Sequence, residues 1–380
     1  MQPFTLLIKP TGSDCNIDCK YCFYKNRAPE IGQGKQRMND EVLEKMVADY
    51  VQLRFPVSGF AWQGGEPMLM GLDFYKKVVE LQKKYGTDGQ VISNSMQTNA
   101  ILINDEWARF FSENKFLIGI SIDGPKELHD YYRKDFSGSG TFDRVMRAIQ
   151  NCKKHKAEFN TLTLVNNKTA DHPDHIFDFL IENNIRYMQF IPCVERDPAT
   201  GKIADFSVKP QQLADFCCRI FDRWLEFGPE KLSIRYFDSI LSVCITGRHT
   251  ICTFAKQCAG YVVIEHKGDC YPCDFFVTPQ LYMGNILETP LKDIATCKKK
   301  TNFNRAKQKL PSQCLVCRYL DICRGGCQKD SAALGDNLAG KPSYFCEAYK
   351  KFFDYSMPGF LKLAADFNVG ALKRPQQFLT

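Results

Sequence analysis

The stretch "FTLLIKPTGSDCNIDCKYCFYK", Phe4 to Lys25, runs from a β-forming segment ending at Lys9 into three cysteines, Cys15, Cys19 and Cys22. Phe4 to Lys9 predicts a first strand. The cysteines fall just past its carboxyl end, where α/β sheets and barrels carry their chemistry. Four thiolates would close a tetrahedral metal site or fully ligate a cubane cluster. Three leave one position to another ligand, and the rest of the chain has to say which.

Working outward, six β-rich runs start at Phe4, Val57, Val91, Phe116, Phe159 and Tyr187. Each is followed by a helical pattern, over 39–51, 72–86, 104–114, 141–155, 173–183 and 210–228. That alternation predicts βα units around a parallel sheet. Six units fall short of the eight that close a barrel, so the expected fold is α/β, a partial (β/α)6 TIM-type barrel. Polar or glycine-rich segments follow the strands: the cysteine triplet, Gln63 to Pro67, Gln97 to Asn99, Ser121 to Pro125 and Cys193 to Asp197. On such a fold they converge on one mouth.

After residue 235 cysteines become dense. "YVVIEHKGDCYPCDFF" from Tyr261 reads as two short strands around a Lys267-Gly268-Asp269 turn. The expected domains are 1–234 for the barrel, 235–347 for a C-terminal cysteine-rich domain containing this hairpin, and 348–380 for a final helix and tail. The aromatics from Phe345 to Phe367 have helical spacing, interrupted at Pro358, and the end reads as a surface tail.

The chain has 380 residues, 44% of them hydrophobic and 24% charged, enough for a large core. No run approaches a membrane span, and the opening "MQPFTLLIKP" has neither a basic start nor a signal-length apolar stretch. A cytoplasmic protein with no membrane partner is expected. Eighteen cysteines in a chain of this size then read as reduced thiols available to metal, not as staples. The formal charge of +7 is too small to argue for nucleic acid, and "KKK" at Lys298 to Lys300 reads as a solvated face.

C-x3-C-x2-C at the end of a first strand, joined to Gly64-Gly65-Glu66-Pro67, resembles the radical S-adenosylmethionine superfamily. The resemblance implies that the open iron of a [4Fe–4S] cluster on Cys15, Cys19 and Cys22 takes the amine and carboxylate of the cofactor's methionine. Cleavage of that cofactor yields a 5′-deoxyadenosyl radical. Residues without side chains in the GGEP segment would let backbone groups approach the cofactor's ammonium. The resemblance also implies cofactor contacts at Tyr21, Gly65, Ser121, Arg133 and Val194, with the Arg133 fork suited to the carboxylate. A zinc site or packed core cysteines is the competing reading of the triplet.

The second cysteine set is Cys252, Cys258, Cys270, Cys273, then "CLVCRYLDICRGGC" with Cys314, Cys317, Cys323 and Cys327, and finally Cys346. It resembles the SPASM extension of radical enzymes that modify peptides, whose eight thiolates hold two auxiliary [4Fe–4S] clusters. That likeness implies Cys252, Cys258, Cys273 and Cys327 on one cluster and Cys314, Cys317, Cys323 and Cys346 on the other, with Cys270 a strand residue. Three cluster cores of about +2 each against eleven thiolates bring the loaded protein to about +2. Cys152 and Cys217 follow apolar helical faces and read as core, and Cys193, Cys218, Cys244 and Cys297 as structural.

Beyond these motifs, "AWQGGEP", "SIDGPKELHDYYRKD", "ADFSVKP", "YPCDFF" and "CRGGC" together resemble the anaerobic sulfatase-maturating enzymes over Leu6 to about Phe353. The likeness departs at Ala100, where a glycine is usual, and at Val194, where a larger aliphatic is common. It implies oxidation of a cysteine or serine in an unfolded sulfatase polypeptide to Cα-formylglycine. It further implies a low-potential electron donor such as flavodoxin or ferredoxin. On that resemblance the adenosyl radical would take a Cβ hydrogen, Asp274 beside Cys273 would act as base, and the auxiliary clusters would accept the electron. The alternatives are another SPASM peptide maturase, such as a thioether-forming enzyme, and, from a different class, a zinc-binding interaction module.

Overall fold

The structure is a computed structural model that describes residues 1–24, 34–332 and 341–373, with side chains to 367. Lys25 and the end of the C-terminal tail lie outside the described residues. Contacts divide the chain into two compact units, 1–163 with 258–306 and 164–257 with 307–380.

In unit 1 the strands β1 (Thr5–Lys9), β2 (Val57–Trp62), β3 (Val91–Thr98) and β4 (Leu117–Ser121) are parallel neighbours, and β4 pairs with β5 (Phe159–Val165). They alternate with α1 (Asp40–Val51), α2 (Leu72–Tyr85), α3 (Asp105–Glu113), the short α4 (Lys126–Tyr132) and α5 (Phe142–His155). The helices start where the sequence supplies caps: the Asn39 and Asn104 side chains accept from the amides of Val42 (2.9 Å) and Trp107 (3.0 Å). On α3, Phe110 and Phe111 turn inward on Phe116, and Trp107, packed on Phe111, meets Tyr75 of α2 with ring centroids 5.7 Å apart. Each such aromatic pair adds about 1 kcal/mol beyond its buried area. Among these five helices only α4 is absent from the sequence reading; its seven residues are too few to show a period.

Unit 2 begins within β5, where the Cys193 amide donates to the Val165 carbonyl at 2.9 Å. It contains α6 (Pro173–Glu182), β6 (Tyr187–Pro192) and α7 (Pro210–Phe227), completing the six expected strand–helix pairs. Pro173 and Pro210 stand at helix starts, where the missing amide hydrogen costs nothing. β7 (Ser233–Ile234) pairs parallel with β6 and leads into α8 (Arg235–Thr246).

The hairpin is present as β8 (Tyr261–Glu265) and β9 (Asp269–Tyr271), antiparallel, with a left-handed Gly268 in the turn and its amide on the Glu265 carbonyl at 2.8 Å. Its first strand lies parallel to β1, residue for residue from Thr5↔Tyr261 to Lys9↔Glu265, and β10 (Gly284–Asn285) pairs with β9. The expected division at 234/235 follows composition and the units follow contacts; they differ over 164–234, which falls in unit 2, and over 258–306, hairpin included, which falls in unit 1. Helices α9 (Leu291–Thr296) and α10 (Lys298–Ala306) complete unit 1, and α11 (Ser312–Leu315), α12 (Leu320–Cys323), α13 (Gln328–Ala332) and α14 (Cys346–Lys373) complete unit 2.

Two expectations are corrected. Helix α14 runs through Pro358 without a break. Proline inside a helix costs about 3 kcal/mol. Here Phe352 and Phe360, buried on either side of it, bind the helix to Phe221, Trp224 and Phe237 and offset that cost. Lys298 and Lys299 are exposed as expected, but Lys300 is buried. No described helix is long and apolar enough to cross a membrane.

Candidate functional site

The loop after β1 is pinned from two sides. From β2, the Gly65 and Glu66 amides donate to the carbonyls of Gly12 and Asp14, both at 2.8 Å. From the end of α4, the carbonyls of Lys134 and Tyr132 accept from the amides of Asp18 (2.7 Å) and Lys20 (3.2 Å). Gly65 is required by proximity: a Cβ there would lie 1.9 Å from the Asp14 oxygen. Its bare face therefore lies directly against the cysteine loop.

Cys15, Cys19 and Cys22 come together on this loop, with the Asn99 amide 3.7 Å from the Cys15 sulfur. Burial first, then the Glu66 carboxylate and the two neighbouring thiols, push the Cys15 thiol well up. Three sulfur donors that resist ionising together suit a cationic cluster core, which would reverse that balance. Among the described residues no three His, Cys, Asp or Glu side chains converge as they would on a single ion. A cubane places each thiolate on a different iron.

Glu66 is fully buried and accepts from the Met68 amide (3.0 Å), the Thr98 hydroxyl (2.8 Å) and the Asn99 amide (2.8 Å). Burial lifts its carboxyl to about 7 against the pull of those donors. Ser121 ends β4, nearly buried. The Arg133 fork closes on Asp123 through Nε (2.9 Å) and Nη2 (3.1 Å), and the Tyr21 hydroxyl donates to the same carboxylate. His129, pushed down to about 3 by burial and then by the Arg133 charge, accepts the Asp123 amide on Nδ1 at 3.3 Å. Its Nε2 therefore carries the proton and donates to the Thr141 hydroxyl at 2.9 Å, which donates to the Arg133 carbonyl at 3.0 Å.

Asp274 opens a single 3-10 turn after β9. Its Oδ2 accepts from Lys9 Nζ at 3.4 Å and Gln63 Nε2 at 3.3 Å, and its Oδ1 faces the Cys273 sulfur at 3.6 Å. Lys9, at the end of β1, is completely buried and also donates to the Tyr24 hydroxyl. Burial pushes the Lys9 ammonium down; Asp274 and Glu265 hold it up. Glu265, its register partner, is 3% exposed, neither of its carboxyl oxygens is hydrogen-bonded among the described residues, and burial raises it to about 8. Lys9, Tyr24, Gln63, Glu265 and Asp123 were not singled out from the sequence. A charge closing an otherwise apolar strand, as in "LLIK" and "VVIE", was the available signal.

Cys270 lies in β9, in register with Ile264 and Gly284, fully buried, with its thiol toward the Gly268 carbonyl at 3.4 Å. Cys258 and Cys273 also lie in unit 1. In unit 2, Cys314, Cys317, Cys323 and Cys346 line one cavity together with Tyr319, Tyr349 and Phe353. Burial pushes the Cys323 thiol up to about 12, and Cys346, Cys314 and Cys317 add to the rise. The donor set fits a cluster here as it does at Cys15. Cys252 is exposed, with its carbonyl and that of Thr253 accepting from Lys307 Nζ (2.8 and 2.6 Å). Cys327 is half-buried, and Val194 is buried with its carbonyl on Lys329 Nζ at 2.6 Å. Cys152 is core, whereas Cys217 is only half-buried, at the edge of an apolar cavity with Phe216 and Ile220.

The family model of the Radical SAM superfamily matches residues 10–180, and that of the SPASM iron–sulfur cluster-binding domain matches 252–318. A cysteine-type anaerobic sulfatase-maturating enzyme of Clostridium perfringens is 39% identical over 370 residues, 96% of this chain and 99% of the relative. A serine-type enzyme of Bacteroides thetaiotaomicron is 39% identical over 376 residues, 94% of this chain and 90% of the relative. The solved structure of native anSMEcpe with bound AdoMet and Cp18Cys peptide superposes with a TM-score of 0.89 at 38% identity, covering 96% of this chain and all of that one. The two domain families bring iron–sulfur clusters and S-adenosylmethionine binding with them. Matched along nearly its whole length in sequence and in fold, the chain belongs to the anaerobic sulfatase-maturating enzymes of the radical S-adenosylmethionine superfamily.

Proposed function

We propose that this chain oxidises a cysteine or serine of an unfolded sulfatase to Cα-formylglycine, with Asp274 as the base. The observation that carries the reading is the setting of Asp274: its carboxylate is tied by Lys9 and Gln63 to the ends of β1 and β2, the strands that present the cysteine triplet and the GGEP segment. Relatives of both the cysteine and the serine type support it equally.

When bound, S-adenosylmethionine and the clusters supply hydrogen abstraction from the target Cβ and an acceptor for one electron. The protein's own part is to place and deprotonate. Lys9 and Gln63 both hold Oδ2 of Asp274, which orients Oδ1 for the thiol or hydroxyl proton. Tyr21 and Arg133 brace Asp123 and so fix the loop after β4. Tyr21, Gly65, Ser121, Arg133 and Val194 are assigned to cofactor contacts.

The cluster ligands we propose are Cys15, Cys19 and Cys22; Cys252, Cys258, Cys273 and Cys327; and Cys314, Cys317, Cys323 and Cys346, which makes three [4Fe–4S] clusters. The domain division we propose, 1–234, 235–347 and 348–380, keeps the second cysteine set from Cys252 to Cys346 within one segment of the sequence. A cytoplasmic setting and a flavodoxin- or ferredoxin-like donor complete the proposal.

The test is Asp274→Asn, assayed anaerobically on cysteine- and serine-type sulfatase peptides by mass. Aldehyde formation removes about 18 mass units from the first and about 2 from the second. Asn keeps the size and accepts no proton, so the yield should fall by about 10²- to 10⁴-fold with cofactor cleavage retained. Oxidation near the wild-type rate would remove Asp274 from the mechanism.

A further inference from the structure

The third lysine of the "KKK" triplet does not share the solvent with the other two. Lys300 is 3% exposed, and its ammonium donates to the carbonyls of Tyr261 and, at 3.2 Å, Pro272, the residue before Cys273. One helical turn along, on the same face of α10, the Asn304 carbonyl accepts from the Cys258 amide at 3.4 Å. With its amide oriented to satisfy both neighbours, the Asn304 side chain donates to the Cys258 carbonyl at 2.6 Å and the Lys300 carbonyl at 3.3 Å. Phe303, between them in sequence, is buried against Phe276 with ring centroids 5.4 Å apart. One helix face therefore gathers the two segments that bring Cys258 and Cys273, the Lys300 amide donates to the Cys297 sulfur at 3.4 Å, and the thiols of Cys273, Cys258 and Cys297 lie within electrostatic reach of the Lys300 ammonium.

Burying an ammonium is costly unless it meets negative charge, and two carbonyl oxygens supply only partial charge. A cubane on four thiolates supplies much more: a core of about +2 leaves about −2 overall, and about −3 after reduction. A fixed cation favours the more negative state, so it favours the reduced cluster.

We propose that Lys300 is the counter-charge of the iron–sulfur cluster bound through Cys258 and Cys273, and that it raises that cluster's reduction potential. The inference rests on the reading above that these two cysteines are ligands. The step it serves is balanced. The substrate Cβ radical gives one electron to the oxidised cluster and one proton from its thiol or hydroxyl to Asp274. The carbon–sulfur or carbon–oxygen double bond forms, and water later replaces sulfur as hydrogen sulfide in the cysteine case.

The experiment uses the full chain reconstituted anaerobically with iron and sulfide, and a redox titration followed by electron paramagnetic resonance. Lys300→Gln keeps a donor for the two carbonyls and removes the charge, while Lys300→Arg keeps the charge. In the Gln variant, with iron and sulfide as in wild type, one auxiliary midpoint should fall by at least about tenfold in its reduction equilibrium, about 59 mV for one electron. The Arg variant should stay near wild type. A fully loaded Gln variant whose midpoints match wild type overturns the proposal. Should the Gln variant lose the cluster, Asn304→Asp decides, since it adds a negative charge on the same helix face: the same midpoint should fall, and an unmoved one overturns the proposal. A wild-type chain without auxiliary iron fails the ligand reading itself, and that shows in the iron assay before any titration.

Discussion

Gly65→Ala should disable cofactor cleavage while leaving the rest of the protein folded. The added Cβ would sit 1.9 Å from the Asp14 oxygen and 2.5 Å from its carbonyl carbon, where Cβ contacts essentially never fall below 3.0 Å. Both atoms are backbone, so no side chain can rotate away, and the loop must retreat by about 1 Å in an interior packed as densely as a crystal. Retreat stretches the Gly65 to Gly12 and Glu66 to Asp14 hydrogen bonds, now both 2.8 Å. Two such bonds at about 1 kcal/mol each, plus overpacking of about 1–3 kcal/mol, place the cost near 4 kcal/mol. Cys15 follows Asp14 directly, so its sulfur moves with the loop, and a misplacement of about 1 Å at a reacting centre is worth about 10²-fold in rate. The assay is 5′-deoxyadenosine formation by the reconstituted variant, with iron counted separately. Gly65 has no left-handed φ, so strain plays no part; Gly89→Ala, at φ +80 with open space around it, is the control that carries strain alone. Cleavage by Gly65→Ala within threefold of wild type would refute the argument.

Two predictions concern stability. Ala100 has φ +65, a left-handed conformation that costs a residue with a Cβ about 1 kcal/mol or more. Ala100→Gly should therefore stabilise the chain by about 1 kcal/mol in urea unfolding, and a loss of stability would show that the buried methyl group matters more. Glu265 stands at about 8 in the folded protein because of burial, above the unfolded carboxyl value of about 4.3. Its contribution is fully present below the unfolded value and is lost as pH rises through about 8. Glu265→Gln removes the titration, so its stability relative to wild type should rise from about pH 4.3 to about pH 8 and level off above that. Parallel pH profiles for the two proteins would contradict the assignment of burial as the cause.

The strand–helix alternation was legible because it is local. Each run pairs β-branched or aromatic residues with an amphipathic helix, and caps such as Asn39 and Asn104 mark the starts to within a residue. The parallel pairing of β8 with β1 was not legible, since it joins Thr5 to Tyr261 and no local pattern encodes a partner that far away. Pro358 misled for the same reason: its local cost is real, and the aromatic packing that offsets it comes from α7 and α8. At the site, spacing and resemblance marked the cysteines and Asp274, and their neighbours stayed hidden. Lys300 reads as one of three equal lysines until the fold buries it.

The hidden residues of unit 1 share a position. Lys9 ends β1, Glu66 follows β2, Asp123 follows β4 and Glu265 ends β8, and all four are buried. At the opposite ends of the parallel strands, Val57, Val91 and Leu117 are first residues, and each is about half exposed or more, at 53%, 55% and 46%. Hydrophobic burial alone would produce the reverse, apolar residues inside and charges in water. Burying an unpaired ionisable group is costly: among the described residues Glu265 has no hydrogen-bonding partner for either oxygen, and burial holds its carboxyl protonated up to about 8. Such an arrangement survives where it serves chemistry at the carboxyl ends, because polar and ionisable groups held in a buried setting act on a reacting group far more strongly than they would in water. The stability forgone at Lys9 and Glu265 is thus the physical signature of the site, and it points to the same end of the sheet as Cys15, Cys19, Cys22 and Asp274.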